Sequence, residues 1–318
     1  MRHCTILLLL GVVLTGCRPA PNGRGLETTP TRDSAAASFP LTISDDLGVS
    51  MTFERPPQRI ITLAPSLTEI AFALGLGDRV VGVTTFCKYP PEALQKEKVG
   101  GYVDASEEKI VSLAPDVIFA TRGTPRAFMD SLRGTGLKVF ALEQTTWDQA
   151  VGAIEKIGQV SGVADRGKQL AGTLTCARQR VEQTVAQDSA PRPGALLIVS
   201  LDPLFVAGQG TFQSEMLTAA GARNLVQIAQ PFGTLSLEKV VELDPQVLVM
   251  TNDENGAPMT RESHLRRLRA SPVWRNVSAV KSGRVIVIDV NHLSVPGPRL
   301  ALGLLELAKA LHPQAFHE

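Results

Sequence analysis

The chain contains one pattern twice, as Glu108-Lys-Ile-Val-Ser-Leu-Ala-Pro-Asp-Val-Ile-Phe-Ala-Thr121 and as Glu238-Lys-Val-Val-Glu-Leu-Asp-Pro-Gln-Val-Leu-Val-Met-Thr251. Seven of the fourteen positions are identical without a gap, and most of the others exchange one apolar residue for another. In each copy a helical segment is stopped before a Pro and is followed by a short apolar run typical of a buried strand. The pattern therefore predicts two related helix–strand units in one chain.

A second repeat precedes the first in both halves. Thr68-Glu69 leads into Ala-Leu-Gly at 73–75, and Ser214-Glu215 leads into Ala-Ala-Gly at 219–221. Two matches in the same order argue against chance agreement and predict two similar lobes.

Short apolar runs alternate with helical segments in the first half. The pattern predicts strands at 59–63, 80–84, 117–120 and 138–141, with helices around 107–113 and 126–135. Ser66-Leu-Thr-Glu69 has the Ser-x-x-Glu form of a capping box and predicts a further helix with Ser66 as its N-cap. Strands separated by helices favour parallel pairing with right-handed crossovers.

The segment 147–187 contains no Pro and little strand signal, and Gly158 and Gly162 are predicted to divide it into two helices. The second helix, from about 163 to 187, would be nearly 40 Å long at about 1.5 Å per residue. The β/α alternation resumes with a strand at 195–200. The predicted fold class is therefore α/β, with two similar Rossmann-like lobes, at 39–146 and 191–318, joined through linking helices at 147–190 that include one long backbone helix. Ligands favour crevices at the carboxyl ends of such strands, so we expect a ligand cleft between the lobes and little domain motion.

The N-terminus has the features of an export signal. Arg2 precedes an apolar run at 6–14 that is too short to span a bilayer, and the run ends in Leu14-Thr-Gly-Cys17. This ending resembles a bacterial lipobox, which predicts a signal peptide at 1–16 and lipidation of Cys17; an ordinary signal peptide cut nearby is the alternative. Residues 17–38 have the composition of a flexible tether. We expect an exported lipoprotein anchored on the periplasmic side of the cell envelope, in either membrane.

Composition excludes several classes of protein. Across 318 residues, 32 Lys and Arg balance 31 Asp and Glu, so total charge gives no reason to expect a nucleic-acid binder. We interpret the Arg-rich run at 264–269 as a solvated helix face, with a polyanion site as the alternative. After signal removal and lipidation, Cys87 and Cys176 remain, at no metal-binding spacing; we expect two separate thiols, with a disulfide between them as the alternative.

The usual Ser-hydrolase, phosphate-loop and zinc-protease motifs are missing, so we expect no enzyme, no catalytic residue, no metal site and no cofactor of its own. A scaffolding lipoprotein remains open.

Several motifs together carry a family resemblance from residue 56 to the end. They are Arg59-Ile-Ile-Thr-Leu-Ala-Pro-Ser-Leu-Thr-Glu69, Phe86-Cys-Lys-Tyr-Pro-Pro91, Val99-Gly-Gly-Tyr102 and Pro296-Gly-Pro-Arg299. The chain resembles a class III, helical-backbone substrate-binding protein of an ABC importer, and it is most similar to the cobalamin-binding branch. The resemblance implies a monomer that captures cobalamin or a related corrinoid non-covalently and delivers it to a permease powered by its ATPase. A ferric siderophore or haem is the alternative ligand.

Carried over position by position, the resemblance implies a set of ligand contacts rich in aromatic rings, which suit a flat, largely apolar macrocycle. Thr121 and Phe232 stand where close cobalamin binders carry tryptophans, and Asn291 and Val295 replace an Asp and an Arg, so the ligand stays open. His292 is a candidate contact to a metal-centred ligand, or else a hydrogen-bonded surface residue. Phe205 and Phe232 are expected in loops, where core packing is the alternative. The implied ligand-binding residues are Pro65, Ser66, Phe86, Tyr102, Phe205, Phe232, Asn291 and His292.

The resemblance also implies a docking surface for the permease. In the family one Glu on each lobe meets Arg residues of the permease, and these positions fall on Glu108 and Glu238, which the internal repeat makes equivalent. Charge complementarity of this kind steers and orients docking. The alternative is a first-turn Glu that complements a helix dipole.

Overall fold

Two β-sheets organise the chain, one in each of two units. The structure, a computed structural model, describes residues 38–228, 230–254 and 256–316. Unit 1 comprises the chain up to Leu142 together with Gly152–Ala177, and unit 2 comprises Glu143–Val151 and the chain from Arg178 onward. The predicted signal peptide, Cys17 and the tether up to residue 37 lie outside the described residues. Within the described part, no helix is both long enough and apolar enough to cross a bilayer.

Unit 1 begins with an antiparallel hairpin and continues into a five-stranded parallel sheet. The sheet has the order β5-β4-β3-β6-β7, with a helix before or after each inner strand, as the alternating pattern predicted. Ile61, Ile118 and Val139 are among the buried residues of its core. The elements are β1 Leu41–Ser44, β2 Ser50–Phe53, β3 Ile60–Thr62, α1 Pro65–Ala73, β4 Val80–Val83, β5 Glu97–Lys98, α2 Glu107–Ser112, β6 Val117–Thr121, α3 Arg126–Gly134 and β7 Val139–Leu142.

The predicted capping box at Ser66 is wrong. Helix α1 starts at Pro65, with Ala64 as its N-cap and no side-chain cap, and Ser66 lies inside the first turn. Pro is well suited to the first helical position because it lacks the N–H that would go unpaired there, and its fixed φ is already helical. The helix therefore starts two residues earlier than the Ser-x-x-Glu pattern predicts, with the N-cap at Ala64 instead of Ser66.

The segment after β7 forms two helices, as predicted: α4 Trp147–Val160 and α5 Ala164–Gln187. Gly162 makes the turn between them with φ +74, a conformation that favours glycine. Gly158 does not break the helix, contrary to the prediction. It lies within α4 against Gly167 of α5, and a Cβ on Gly158 would come within 3.0 Å of the Gly167 Cα. The 24 residues of α5 give a helix about 36 Å long that continues from unit 1 into unit 2.

Unit 2 is built on a six-stranded sheet of mixed direction. Its order is β11-β9-β8-β12-β15, with β10 also paired to β8. Strands β8, β12, β15 and β10 are parallel, whereas β8, β9 and β11 pair antiparallel. The elements are β8 Gly194–Leu201, β9 Leu204–Ala207, α6 Phe212–Ala219, β10 Arg223–Asn224, β11 Phe232–Thr234, α7 Leu237–Leu243, β12 Val247–Thr251, β13 Asp253–Glu254, β14 Ala257–Pro258, α8 Arg261–Ala270, α9 Ser278–Lys281, β15 Val285–Ile288, α10 Val290–Ser294 and α11 Leu300–Leu311.

The antiparallel strands are a departure from a purely parallel β/α lobe. Only Asp202 and Pro203 separate β8 from β9, and two strands joined by two residues can pair only as a hairpin. Sequence patterns give little signal for this hairpin, because β9 is four residues long and has little alternation of its own. The α/β class and the parallel core of each unit are confirmed.

The internal repeat appears in the structure as two matching units, α2–β6 and α7–β12. Ser106 caps α2 by accepting a hydrogen bond from Lys109 N, and Ser236 caps α7 in the same way, each at 3.2 Å. After each helix comes a residue with positive φ, Ala114 at 42° and Asp244 at 37°, at the same position of the repeat. Equivalent caps, turns and strands show that the sequence match reflects one structural unit used twice.

Asp45 is a buried carboxylate that ties the first hairpin to the parallel sheet of unit 1. It accepts hydrogen bonds from the backbone of Leu47 and Val49, and its other oxygen pairs with Arg133 at 2.7 Å. The same Arg133 also pairs with Asp130 at 3.2 Å, but that carboxylate is 54% exposed, whereas the Asp45 side chain is fully buried. Arg133 thus pairs with one buried and one exposed carboxylate.

Replacing Asp45 by Ala should lower the free energy of unfolding of unit 1 by about 3 kcal/mol, because it leaves the backbone N–H groups of Leu47 and Val49 without their side-chain acceptor and removes the buried carboxylate that pairs with Arg133. Asp130→Ala is the matched control and should cost less than about 1 kcal/mol. Urea unfolding followed by circular dichroism measures both values. Equal losses in the two variants would contradict a structural role for the buried pair.

Candidate functional site

Phe86 and Tyr102 form a stacked aromatic pair in unit 1. Their ring centroids lie 5.1 Å apart with an interplanar angle of 24°. Phe86 is 53% exposed, which is unusual for so large an apolar side chain, and Tyr102 is half-buried. The pair therefore forms a flat, partly exposed apolar surface, and the ligand role that the resemblance implies for these two residues stays a prediction.

The Gly-Gly pair before Tyr102 explains how the two rings meet. Gly100 has φ +114, and a Cβ on Gly101 would come within 2.4 Å of Asp104 Oδ1 and 3.1 Å of the Phe86 ring. The Asp104 carboxylate accepts a hydrogen bond from Gly101 N at 2.9 Å, and Gly100 O accepts one from Thr85 N at 2.9 Å. The loop carrying Tyr102 is thus joined to the loop carrying Phe86 at a distance that excludes side chains.

Sheet topology brings the other unit 1 candidates to the same edge. Pro65 and Ser66 follow β3, Phe86 follows β4, and Thr121 ends β6. These three strands are parallel neighbours, so the segments that follow them lie at one edge of the sheet. Pro65 is partly exposed and Ser66 is buried, so Ser66 reaches the surface only slightly.

Beneath this edge lies a buried polar network around Cys87. Its thiol is within hydrogen-bond distance of Thr68 Oγ1 at 3.0 Å and Thr84 Oγ1 at 3.1 Å. Burial raises the pKa of the Cys87 thiol more than these hydrogen bonds lower it, so the group stays protonated. Cys87 is a free, buried thiol and forms no disulfide with Cys176, but Cys176 is itself disulfide-bonded, so the prediction of two free thiols is right for Cys87 and wrong for Cys176. A protonated buried thiol is neither a nucleophile nor a metal ligand.

Burial also determines the state of Tyr102. It raises the pKa of the phenol to about 12, and the nearby Cys87 adds to the shift. The side chain is therefore neutral at physiological pH.

Unit 2 has a second stacked pair, Phe205 and Phe232. Their ring centroids lie 6.2 Å apart and the rings are nearly parallel, at 13°. The prediction that both residues lie in loops is wrong: Phe205 lies on β9 and Phe232 on β11. In this antiparallel pair Phe205 is opposite Thr234 and Phe232 is opposite Ala207, so the two rings are diagonal neighbours on one face of the sheet. Both are half-buried, so they are neither core residues nor fully exposed.

Asn291 and His292 lie on α10, where their side chains engage residues of unit 2. Asn291 donates from both its backbone and its side-chain amide to Asp289 Oδ1, at 2.8 and 2.9 Å. Although burial alone would raise it, the pKa of Asp289 is lowered by these bonds from Asn291, so it stays a carboxylate. His292 Nδ1 lies 2.9 Å from Glu306 Oε1 on α11. The structure thus shows stacking within each aromatic pair, while Asn291 and His292 are held by their own neighbours.

Glu108 and Glu238 are exposed residues in the first turns of α2 and α7. The pKa of Glu238 is lowered by hydrogen bonds from its own backbone N–H and from Ser236, so it remains ionised. The neighbouring Lys109 and Lys239 pair with carboxylates of their own units, at 3.3 Å and 2.7 Å. Each repeat unit therefore presents a negative charge at the same place.

Exposed valines near Tyr102 and in the two repeat units were not predicted from the sequence. Val103, directly after Tyr102, is the most exposed large apolar side chain among the described residues. Val111 and Val241 are also exposed, at equivalent positions of the repeat. Periodicity gave no signal for Val103, but the repeat could have drawn attention to the other two.

Comparison with known proteins places these features in a family. Residues 60–291 match the family described as "Periplasmic binding protein". The uncharacterized ABC transporter substrate-binding lipoprotein YvrC of Bacillus subtilis (strain 168) is 32% identical over 323 residues, which cover 98% of this chain and 97% of that protein. A vitamin B12-binding protein of Vibrio cholerae serotype O1 is 32% identical over 248 residues, 77% of this chain and 85% of its own.

A solved structure agrees with the fold. The crystal structure of a periplasmic heme binding protein from Pseudomonas aeruginosa has a TM-score of 0.73 and 29% identity, and the match covers 81% of this chain and 94% of that one. Proteins of this fold thus carry names that refer to different metal-containing macrocycles. With the family pattern matched over most of its length, the chain belongs to the periplasmic binding protein family, as a substrate-binding protein of the ABC-transporter type.

Proposed function

We propose that this protein captures cobalamin or a related corrinoid and delivers it to the permease of an ABC importer. The observation that carries the proposal is the stacked pair of Phe86 and Tyr102, with Phe86 more than half exposed at the carboxyl edge of a parallel sheet. Rigid aromatic faces supply a large contact area with little loss of side-chain entropy, and they suit a flat macrocycle. The similarity to a vitamin B12-binding protein supports a corrinoid as the first candidate.

The ligand contacts in this proposal come from both units. Pro65, Ser66 and the first aromatic pair belong to unit 1, while Phe205 and Phe232 belong to unit 2. Asn291 would contribute its side-chain oxygen, since its amide group is engaged by Asp289. His292 would act through Nε2, since its Nδ1 atom is engaged by Glu306.

Haem is the second candidate ligand, followed by a ferric siderophore. The similarity to a heme-binding protein favours haem, and so does the presence of His292, because imidazole is a common ligand of haem iron. Thr121 stands where close cobalamin binders carry a tryptophan, so this chain departs from the cobalamin pattern at that position.

We propose further that the protein is a lipid-anchored monomer without enzymatic activity, a metal site or a cofactor of its own. The lipobox at Leu14-Thr-Gly-Cys17 supports an anchor at Cys17, and the similarity to a substrate-binding lipoprotein agrees with it. Glu108 and Glu238 would dock onto basic residues of the permease, while the ATPase supplies the energy of transport. Repeat-equivalent charges suit a permease built with twofold symmetry.

The first test titrates residues 18–318 with cyanocobalamin and with dicyanocobinamide, by calorimetry and absorbance. We expect tight one-to-one binding of at least one corrinoid, weakened about tenfold or more by Phe86→Ala or Phe232→Ala because each loses a stacking face. Haem is titrated in parallel. No heat and no spectral change with either corrinoid would reject the corrinoid proposal, and binding of haem instead would establish the second candidate.

The second test compares variants of the proposed docking surface and of the proposed ligand site in the same two assays. The double variant Glu108→Ala with Glu238→Ala should bind ligand like the wild type, but its docking to the permease–ATPase complex should weaken about tenfold and lose its salt dependence. Phe86→Ala should show the opposite behaviour in the same two assays. Loss of ligand with normal docking in the Glu variant would mean that the two surfaces are assigned the wrong way round.

The third test concerns the neutral state of Tyr102, since the protein has only two tyrosines. Absorbance at the phenolate band should show one group that ionises at about pH 12, and Tyr102→Phe should remove that step. A bound corrinoid that covers the ring should move the step to still higher pH. Full ionisation of both tyrosines by pH 10 would contradict a buried, neutral Tyr102.

A further inference from the structure

Each repeat unit exposes a valine one helical turn after its glutamate. Val111 follows Glu108 on α2 and is 43% exposed, and Val241 follows Glu238 on α7 and is 50% exposed. Residues three apart on a helix are neighbours on one face, so each valine lies beside its carboxylate. The two valines occupy the same position of the fourteen-residue repeat.

The exposed valines make little contribution to the core of either unit. The core-facing positions of the two helices are Ile110 and Val240, both fully buried. A single exposed valine needs no explanation, because much of any protein surface is apolar. The same exposed apolar residue beside the same exposed carboxylate, in both copies of a repeat, points to a shared contact.

The lysine that follows each glutamate in the sequence pairs with a different carboxylate, so neither lysine is paired with Glu108 or Glu238. Lys109 pairs with Glu97 at 3.3 Å, and Lys239 pairs with Glu242 at 2.7 Å. In unit 2 the apolar area is larger, since Leu237 is also exposed next to Glu238. Each surface therefore combines one anionic group with an adjacent apolar area.

We propose that Val111 and Val241 are part of the permease-docking surface, where each fills an apolar depression next to the basic side chain that meets Glu108 or Glu238. The inference rests on the docking role proposed above. Exposed ion pairs contribute little affinity on their own but steer and orient encounter. Apolar side chains that become buried in an interface add favourable free energy in proportion to the area removed from water, and most effects of interface mutations are on the dissociation rate. The glutamates would thus set orientation and association rate, and the valines would lengthen the lifetime of the complex.

The test measures binding of the lipidated, full-length mature protein to its permease–ATPase complex in nanodiscs at low and high salt. The variant Val111→Ser with Val241→Ser should bind about tenfold more weakly, with faster dissociation and an unchanged salt dependence. Its heat-capacity change on binding should be less negative, because less apolar surface is buried. Val199→Ser is the matched control: Val199 is 39% exposed, lies on β8 outside both repeat units, and should have no effect.

The outcomes separate the two proposals. Weaker docking of the glutamate variant together with normal docking of the valine variant would overturn the apolar contact and leave the docking role of the glutamates intact. Normal docking of both variants, or no docking of the wild type, would overturn both. An equal effect of Val199→Ser would also overturn the inference. Thermal unfolding and ligand binding, expected unchanged in the double valine variant and in Val199→Ser, show that each remains folded.

Discussion

Parallel strands end at a common edge of their sheet, and this constraint places the unit 1 contacts proposed for the ligand. Pro65 follows β3, Phe86 follows β4, and Thr121 ends β6. Three segments that are far apart in the sequence therefore lie at one edge of the sheet. Tyr102 joins them through the Gly100-Gly101 turn, where the close approach of two loops excludes side chains. The aromatic pair is thus a consequence of sheet direction combined with two glycines.

Unit 2 reaches a comparable result by a different route. Its hairpin β8–β9 and the added strand β11 form an antiparallel ladder, and the diagonal register of that ladder stacks Phe205 on Phe232. Ladder hydrogen bonds hold strand residues more rigidly than a loop would, so this pair is well suited to serve as a fixed contact surface. The two units therefore present similar aromatic pairs from dissimilar elements.

Much of the fold could be predicted from the sequence because its signals are local or repeated. Helix–strand alternation predicted the parallel sheet of unit 1, and the fourteen-residue repeat predicted two equivalent units whose caps and left-handed turns match. The errors arose where one local signal competed with another. Pro65 occupies the first helical position, so Ser66 is not the N-cap. Gly158 lies where α4 packs closely against α5 and does not end the helix.

For the candidate site, sequence patterns identified residues but not their arrangement. The stacking of Phe205 on Phe232 depends on a hairpin whose second strand is too short to show alternation, so no local pattern could place those two rings together. Similarly, the exposure of Val111 and Val241 is set by which side of a short helix faces the core, which becomes visible only when Ile110 and Val240 are seen to be buried.

The distribution of the two proposed surfaces over the repeat has a physical logic. The residues proposed for docking, Glu108 and Glu238, come from the repeated unit, and equivalent positions suit a partner that is itself symmetric. The aromatic residues proposed for the ligand come from elements that the two units do not share, the Gly-Gly loop in one and the antiparallel ladder in the other. A corrinoid or haem is not symmetric in its side groups, and contact surfaces built from different elements suit such a ligand. Duplication of one helix–strand unit can therefore preserve the partner contact while the elements around it diverge to select the ligand.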